Sequence, residues 1–276
     1  MNPIVDHITN QIVVHIADHT ANPLVNNSLA VNSVLDFSNK DVYYKENEIV
    51  NGYSILQIIG EGRYGIAYLA INDKYEKCLI KQLKKEMLEE TREKLFYEER
   101  ILQSLNSSNF PKFISKFRDE YREGYQLEYI EGRSFEDLLT KEGYTFSKAD
   151  IYKIGGKLLE LIEILHNNNI VHQDIRPPNI ILKPNNEVAL IDFGLARFID
   201  SDKYTKEIDY WFIGDFLIHL YYSTYIDSDL PDRPWFKELN LNIEETIFLK
   251  KLMGIEGSYQ NMDEIREQLG KIKSRN

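Results

Sequence analysis

Hydrophobic and polar positions divide most of the chain into a strand-like part followed by a helical part. Short, branched, turn-bounded segments from Tyr53 onward predict three strands, with sequences YSILQII, IAYLAI and KCLIKQL. A charged segment from about Lys84 to Leu105 has spaced apolar residues and predicts a long helix. Two more strands are predicted from KFISKF and YQLEYI. Residues 51–130 are therefore expected to form a strand-rich lobe.

After Gly132 the pattern becomes mostly helical. Ser134 with Asp137, and Ser147 with Asp150, have the spacing of capping boxes that begin helices. The second helix carries one apolar face, made of Ile154, Leu158, Leu161, Ile162 and Leu165. The order of the elements predicts an α+β protein with a small strand-rich lobe over 51–130 and a larger helical lobe over 131–276.

The first 39 residues differ in composition from the remainder, since they contain no Lys or Arg and seven Asn. Isoleucines recur at helical spacing, and Asn2 with Pro3 could begin a helix there, although β-branched residues weaken that interpretation. The repeated positions are Ile4, Ile8, Ile12 and Ile16. We expect residues 1–50 to form an arm that is partly helical or flexible. It either docks on a partner or covers the protein's own surface, and we favour the second.

Composition and charge restrict the functional class. The 276 residues are 43% hydrophobic, enough for a sizeable core, and the net charge of −11 argues against binding nucleic acid through its phosphates. No apolar run has the length of a membrane span. The single cysteine, Cys78, cannot form an internal disulfide or a cysteine-based metal cluster. These features predict a cytoplasmic protein without nucleic-acid or membrane partners.

The sequence GEGRYG, from Gly60 to Gly65, lies between two predicted strands. A glycine-rich hairpin turn would account for the same letters, and the motif alone is weak. A dinucleotide-binding loop would lead from a strand into a helix, whereas this one leads from strand to strand. Such a loop can lie over a phosphate chain as a flap, because its backbone N–H groups can approach an anion closely.

Lys81 lies in an otherwise apolar strand, 16 residues after Gly65. A lysine on a sheet usually has a solvated tip, but here we expect it to face the space beneath the glycine loop and compensate phosphate charge. A carboxylate would be needed to position it, and Glu98 in the long helix is the candidate. The simpler interpretation of Glu98 is a surface partner for neighbouring charges.

The sequence HQDIRPPNI, from His172 to Ile180, crowds three polar groups beside two prolines. Asp174 can accept a proton from a hydroxyl, Arg176 can reach a transferring phosphoryl group, and Asn179 can bind a divalent metal through its amide oxygen. Proline fixes the backbone, so the loop should hold these groups at a constant separation.

Asp192, in IDFG, follows a predicted buried strand 18 residues beyond Asp174. An acid there is costly unless it binds something, and a metal is the candidate. The hairpin IILKPNNEVALI between the two acids should bring them to one end of neighbouring strands.

Together, in this order and spacing, the motifs resemble those of eukaryotic-type (Hanks-type) Ser/Thr protein kinases, particularly the short soluble bacterial members, over about residues 53–268. The resemblance implies a bilobal kinase fold with an N-terminal extension, and ATP with Mg²⁺ or Mn²⁺ as cofactors. It assigns the glycine loop to Gly60, Gly62 and Gly65, catalysis to Asp174, Lys81, Glu98, Arg176, Asn179 and Asp192, and the metal to Asn179 and Asp192.

The resemblance also assigns the adenine and ribose contacts. Leu127 resembles the gatekeeper, and Glu128 and Ile130 match the hinge positions whose backbone binds adenine. The remaining positions are Ser134 near the ribose, Ile181 beneath adenine, Ala67 and Leu79 in a repacked lid above adenine, and Asp209, which resembles the buried aspartate of the central helix.

Three departures from the family pattern affect the expected activity. Gln173 replaces the arginine that pairs with a phosphorylated activation loop, so activity should not require that phosphorylation. Asp209 follows Asp192 by only 17 residues, which truncates the platform for a peptide substrate. Arg176 replaces a lysine, which keeps the charge but changes its shape.

We therefore expect an ATP-dependent phosphotransferase, a Ser/Thr protein kinase with an unidentified protein as substrate and self-phosphorylation as a further expectation. A small-molecule kinase or an ATPase on the same fold is the first alternative. A pseudokinase that serves as a binding module is the second, although Lys81, Asp174 and Asp192 are all present.

Overall fold

The computed structural model describes residues 40–200, 202–226 and 233–275. The isoleucine-rich helix predicted in the arm lies outside the described residues. Residues from Asp41 onward belong to one compact unit. Among the helices that the structure describes, none is long and apolar enough to cross a membrane.

Six antiparallel strands form the main sheet, in the order β1-β2-β3-β4-β6-β5. The strands are β1 (Ile49–Val50), β2 (Tyr53–Glu61), β3 (Gly65–Ile71), β4 (Lys77–Leu83), β5 (Phe113–Arg118) and β6 (Glu123–Glu128). The strand-rich lobe expected from the short, branched and turn-bounded segments is confirmed. Neighbours along the chain are mostly neighbours in the sheet, so short turns are sufficient to connect them.

The two faces of the sheet have different roles. In β3, Ile66, Tyr68 and Ala70 point into a core that also holds Tyr44 and Val50 from the segment preceding β2. Because side chains alternate along a strand, the residues between them point to the opposite face. Ala67 pairs with Lys81 on that opposite face. One period-two pattern therefore places the core on one side and the candidate site residues on the other. Residues 41–50, which the sequence analysis assigned to the arm, contribute Tyr44 and Val50 to this core.

Helix α1 (Leu88–Ser104) begins later than the predicted start near Lys84. A short 3₁₀ turn over Lys85–Met87 occupies the intervening residues, and Asp41 Oδ1 accepts a hydrogen bond from the Lys85 backbone N–H at 2.9 Å. Leu95, Ile101 and Leu102 of the helix are buried, and so is Glu98, whereas Phe96 is exposed. The helix therefore presents one carboxylate to the interior.

The second lobe is mainly helical. Its helices are α2 (Phe135–Thr140), α3 (Lys148–Asn167), α4 (Lys206–Tyr222), α5 (Trp235–Glu238), α6 (Ile243–Leu252) and α7 (Met262–Arg275). The Ser134 side chain accepts from the Asp137 N–H, and Ser147 with Asp150 forms a complete capping box. All five predicted apolar residues of α3 are buried, so the 3.6-residue periodicity correctly identified the face that packs in the core.

Five short strands connect the helical lobe to the cleft: β7 (Arg133–Ser134), β8 (Ile170–Val171), β9 (Ile180–Leu182), β10 (Val188–Leu190) and β11 (Arg197–Phe198). They form the ladders β10-β9-β7 and β11-β8. The loops that carry the polar motifs lie at the ends of these strands. The predicted α+β fold, with a small sheet lobe and a larger helical lobe, is confirmed.

Gly124 in β6 gives a test of this packing. A Cβ atom there would overlap the carbonyl oxygen of Lys81 and lie 2.6 Å from Cζ of Phe117. We expect Gly124→Ala to lower the free energy of unfolding by about 1–3 kcal/mol, or Tm by about 2–12 °C. Thermal unfolding measures this. Gly156→Ala, in α3 where an added Cβ meets nothing within 4 Å, is the control and should be neutral or stabilising. Equal Tm values for the two variants would contradict the packing described.

Candidate active site

Lys81 joins three elements that are distant in the sequence. Its Nζ lies 3.2 Å from Oε1 of Glu98 on α1 and 2.8 Å from Oδ1 of Asp192, which follows β10. Glu98 belongs to the strand-rich lobe and Asp192 to the helical lobe, and both carboxylates hold the Lys81 ammonium in place. The structure thus brings together three of the residues predicted to serve catalysis.

The charges in this cluster shift one another's pKa values. Burial alone would lower the pKa of Lys81, but Asp192 and Glu98 outweigh burial and raise that pKa well above its ordinary value. The Lys81 ammonium lowers the pKa of Asp192 to about 2, against the opposing effect of burial. Because this pKa is lower in the folded chain than the ordinary 3.8, the pair stabilises the fold above about pH 4. That contribution is lost as the pH falls towards 2.

Tyr125 also belongs to this cluster, although the sequence analysis did not identify it. It lies opposite Lys81 in the β4–β6 register, and its hydroxyl donates to Oε2 of Glu98 at 2.6 Å. Burial and the neighbouring Glu98 raise the pKa of Tyr125, which therefore remains a hydrogen-bond donor. Both oxygens of the buried Glu98 carboxylate thus have partners. The strand pairing would have indicated Tyr125 if the register had been known.

The loop that follows β8 holds Asp174 in place. Nδ2 of Asn179 donates to the Asp174 carboxylate at 2.6 Å and to the Asp174 carbonyl oxygen at 2.9 Å. Nε of Arg176 lies 2.9 Å from the other carboxylate oxygen. A 3₁₀ turn over Pro177–Asn179 begins with the two prolines. The loop is therefore fixed both by its backbone and by its own side chains.

Asp209 anchors this loop from beneath. Its buried carboxylate, in the first turn of α4, accepts from the backbone N–H groups of His172 and Gln173 at 2.9–3.1 Å. Gln173 has a φ of 65°, which a non-glycine residue seldom adopts without such support. Burial lowers the pKa of His172, and its Nδ1 accepts from the Asp174 N–H at 3.2 Å. The anchor thus extends through His172 to the backbone of Asp174.

The IDFG segment presents its acid to the cleft and its aromatic ring to the core. Asp192 has a φ of 63°. Phe193 is buried, with its ring 4.8 Å from that of His172 and 5.6 Å from that of Phe110. The Ile191 N–H donates to the carbonyl oxygen of Asn179 at 2.9 Å. The β9–β10 hairpin therefore brings Asn179 and Asp192 to one end. The sequence analysis expected Asp174 beside Asp192, and both acids line one cleft.

A cleft of about 450 Å³ lies under the glycine loop, and Lys81, Glu98, Asp174, Arg176 and Asp192 all line it. Gly60, Gly62, Gly65 and Ala67 form its roof. A Cβ at Gly65 would lie 2.7 Å from the carbonyl oxygen of Gln82, so the strand pairing itself requires glycine there. At Gly62 a Cβ would meet nothing within 4 Å. Packing therefore does not explain Gly62, whereas close approach of a ligand to the backbone would.

The residues predicted to bind adenine come from the main sheet and from the smaller sheet of the helical lobe. Leu79 pairs with Leu127, two residues from the Lys81–Tyr125 pair, and Leu127 is buried. Ser134 pairs with the buried Ile181. Among the residues predicted to contact adenine or ribose, Ala67 lines the cleft described above. The others are not among its lining residues: Leu79, Leu127, Glu128, Ile130, Ser134 and Ile181. The Ser134 oxygen already accepts the hydrogen bond that caps α2, so its hydroxyl hydrogen and one lone pair remain for a ribose.

Two oxygen groups are suitable for a divalent metal. The Asn179 amide directs its nitrogen to Asp174, which leaves its oxygen available to a metal, and the low pKa of Asp192 keeps that carboxylate ionised. Among the described residues, no group of three or more His, Cys, Asp or Glu could hold a metal ion. Mg²⁺ typically uses one or two protein carboxylates together with substrate phosphates, and this donor set fits that pattern.

Comparison with known proteins identifies the family. A family model described as protein kinase domain matches residues 53–228. The chain belongs to the protein kinase family, whose members use ATP with divalent metal ions.

Relatives within that family include kinases from bacteria and eukaryotes. The chain is 34% identical over 227 residues to the probable serine/threonine-protein kinase YbdM of Bacillus subtilis, covering 79% of this chain and 88% of that protein. It is 32% identical to the cell division control protein 2 homolog 3 of Trypanosoma brucei brucei, over 56% of this chain and 51% of that protein. It is also 32% identical to the serine/threonine-protein kinase ppk11 of Schizosaccharomyces pombe, over 54% and 48% respectively.

Removal of the Tyr125 hydroxyl tests the Lys81 cluster. We expect Tyr125→Phe to lower the free energy of unfolding by about 1–3 kcal/mol, because one oxygen of the buried Glu98 loses its donor. ATP turnover should fall about three- to tenfold, because Glu98 then holds Lys81 less firmly. Chemical denaturation and steady-state kinetics measure the two effects. Tyr75→Phe, at a residue that is 85% exposed, is the control. A Tyr125 variant indistinguishable from this control would show that the hydroxyl has no role.

Proposed function

We propose that this protein is a serine/threonine protein kinase, which transfers the γ-phosphoryl group of ATP to a hydroxyl of a protein substrate. One observation carries the proposal. Lys81, Glu98, Asp174 and Asp192 line a single cleft beneath the glycine loop. Similarity to serine/threonine kinases over most of the chain supports the same assignment.

The proposed roles follow from the positions of the side chains. Asp174 orients the acceptor hydroxyl and takes its proton as the oxygen forms a bond to the γ-phosphorus and the bond to ADP breaks. Lys81 binds the α- and β-phosphates, and Arg176 leaves its contact with Asp174 to neutralise the transferring group. Asn179 and Asp192 would hold magnesium or manganese, which would supply further positive charge to the phosphate oxygens. Catalysis would thus rest on positioning and electrostatics.

Gln173 supports activity without phosphorylation of the activation segment, which is the stretch between Asp192 and Asp209. Its side-chain N–H donates to the carbonyl oxygen of Leu195 at 2.8 Å. This bond ties the segment after Asp192 directly to the catalytic loop. A neutral amide does not repel the segment and needs no phosphate to balance its charge. The Gln173–Leu195 hydrogen bond therefore holds the segment as an ion pair between an arginine and a phosphate would.

The length of the activation segment favours a second candidate function. Strand β11 ends at Phe198 and helix α4 begins at Lys206, so few residues are left to support a bound peptide. A small-molecule acceptor, or water in an ATPase, would need no such platform. Metal-dependent nucleotide binding without transfer would instead indicate a pseudokinase. Since the proposed reaction uses ATP, we place the protein in the cytoplasm.

Acceptor assays with labelled ATP test the proposed function. The protein is incubated with labelled Mg-ATP and a set of protein and small-molecule acceptors, and label should appear on Ser or Thr of a protein. Mass spectrometry of the intact chain should show self-phosphorylation. We expect Asp174→Asn to reduce transfer by about 10²-fold or more, while nucleotide binding is retained. Transfer confined to small molecules or water would favour the second candidate. Unimpaired transfer by the Asp174 variant would overturn the assignment of the base.

A triple variant tests the independence from phosphorylation. Ser201→Ala, Tyr204→Phe and Thr205→Ala together remove the hydroxyls of this segment, of which Ser201 lies outside the described residues. Thr205 precedes α4 without a side-chain capping bond, so its loss should cost little stability. We expect kcat within about twofold of wild type, which corresponds to a change of well under 1 kcal/mol in the activation free energy. A decrease of several orders of magnitude would show that phosphorylation is required.

A further inference from the structure

Lys94 and Tyr64 form a contact that the roles proposed above leave unused. Nζ of Lys94, on α1, lies 3.1 Å from the centroid of the Tyr64 ring, at the turn of the glycine loop. A cation over an aromatic face at this distance is attracted by the electron density of the ring. Both residues line the same cleft as the candidate catalytic groups. The contact therefore lies at the phosphate end of the site.

The helix connects this contact to the Lys81 cluster. Lys94 precedes Glu98 by four residues, and residues at this spacing share one face of a helix. Glu98 reaches Lys81 in β4, while Lys94 reaches the loop between β2 and β3. One helical face thus contacts both the strand below the cleft and the loop above it. A movement of α1 away from the sheet would break both contacts.

The backbone of the loop is held separately from the Tyr64 ring. The Tyr64 carbonyl oxygen accepts from the Lys84 N–H at 3.1 Å, and the Gly62 N–H donates to the Gly65 carbonyl oxygen at 3.0 Å. These bonds fix the base of the turn and leave the ring to make the contact with α1. Arg63 lies farther from the ring, at 5.4 Å. The Lys94 ammonium is therefore the nearer of the two cations.

We propose that Lys94 and Tyr64 are a positioning pair that couples closure of the glycine loop to the position of α1. The ammonium holds the ring, which keeps the loop lowered over the nucleotide phosphates while Glu98 engages Lys81. The inference rests on the proposed function, because it needs ATP as the ligand. It assigns to Lys94 an action through Tyr64, with no contact to the reacting atoms.

Kinetic variants test this coupling. We expect Lys94→Met to raise KM for ATP about three- to tenfold, because the variant loses the cation–aromatic contact with Tyr64. The kcat should change less than about twofold. Lys94→Arg should restore KM, since guanidinium also stacks on aromatic rings. Tyr64→Phe should resemble wild type, and Tyr64→Leu should resemble Lys94→Met. In the double variant Lys94→Met, Tyr64→Leu the effects should not add.

Lys116→Met is the matched control. Lys116 pairs with Glu99 of the same helix at 2.5 Å and is not among the residues that line the cleft, so the variant removes an equal charge and a contact to α1. We expect it to leave KM for ATP unchanged. Tm values should be measured for all variants, so that a change in KM is compared among equally folded proteins.

Two results in the variants would overturn the proposal. An unchanged KM in Lys94→Met would exclude any role. Additive effects in the double variant would show that the two residues act independently, and an effect of Lys94→Met that is larger for ATP than for ADP would then indicate direct phosphate binding by Lys94. Failure of wild type to bind Mg-ATP in a direct titration would overturn the proposed function as well, whereas normal binding without coupling would overturn this inference alone.

Discussion

The interaction of Lys81 with Glu98 and Asp192 is the constraint on which the rest of the site depends. A charged group taken out of water is costly unless an opposite charge and hydrogen bonds replace its hydration. Glu98 is fully buried, so β4, α1 and β6 must approach closely enough to supply both Lys81 and Tyr125. The electrostatic requirement of one side chain thus determines how the helix lies against the sheet, and it leaves an ammonium at the place where phosphates would bind.

In the helical lobe, the buried carboxylate beneath the catalytic loop is held mainly by hydrogen bonds. Asp209 is buried and satisfied mainly by backbone N–H donors of the catalytic loop. This arrangement fixes a loop that contains an unfavourable φ at Gln173. The strain at Gln173 and at Asp192 is concentrated beside the reacting groups, where the surrounding bonds support it. Each lobe therefore contributes one rigid set of polar groups, and the cleft lies where the two sets meet.

Much of the fold could be predicted because its signals are local. Alternation along β3 separates the core residues from Ala67, and the capping serines mark the starts of α2 and α3. It was also predictable that Lys81 needs a carboxylate partner, since a charge within a buried strand is costly unless it is paired. Tyr125 and the Lys94–Tyr64 contact were missed because they depend on strand register and on the rotation of α1. Neither quantity is fixed by the residues near those side chains.

The start of α1 shows a related limit. Charged residues from Lys84 onward suit a helix, yet the first turn is 3₁₀, because the preceding chain returns to hydrogen-bond Lys85 through Asp41. A partner 44 residues away in the sequence thus competes with local helix propensity. The same principle applies to the activation segment, where a single amide bond from Gln173 takes the place of an ion pair. Under the function proposed above, this neutral bond needs no phosphate to hold the segment. Control of the enzyme would then act on the nucleotide, the acceptor or the position of α1.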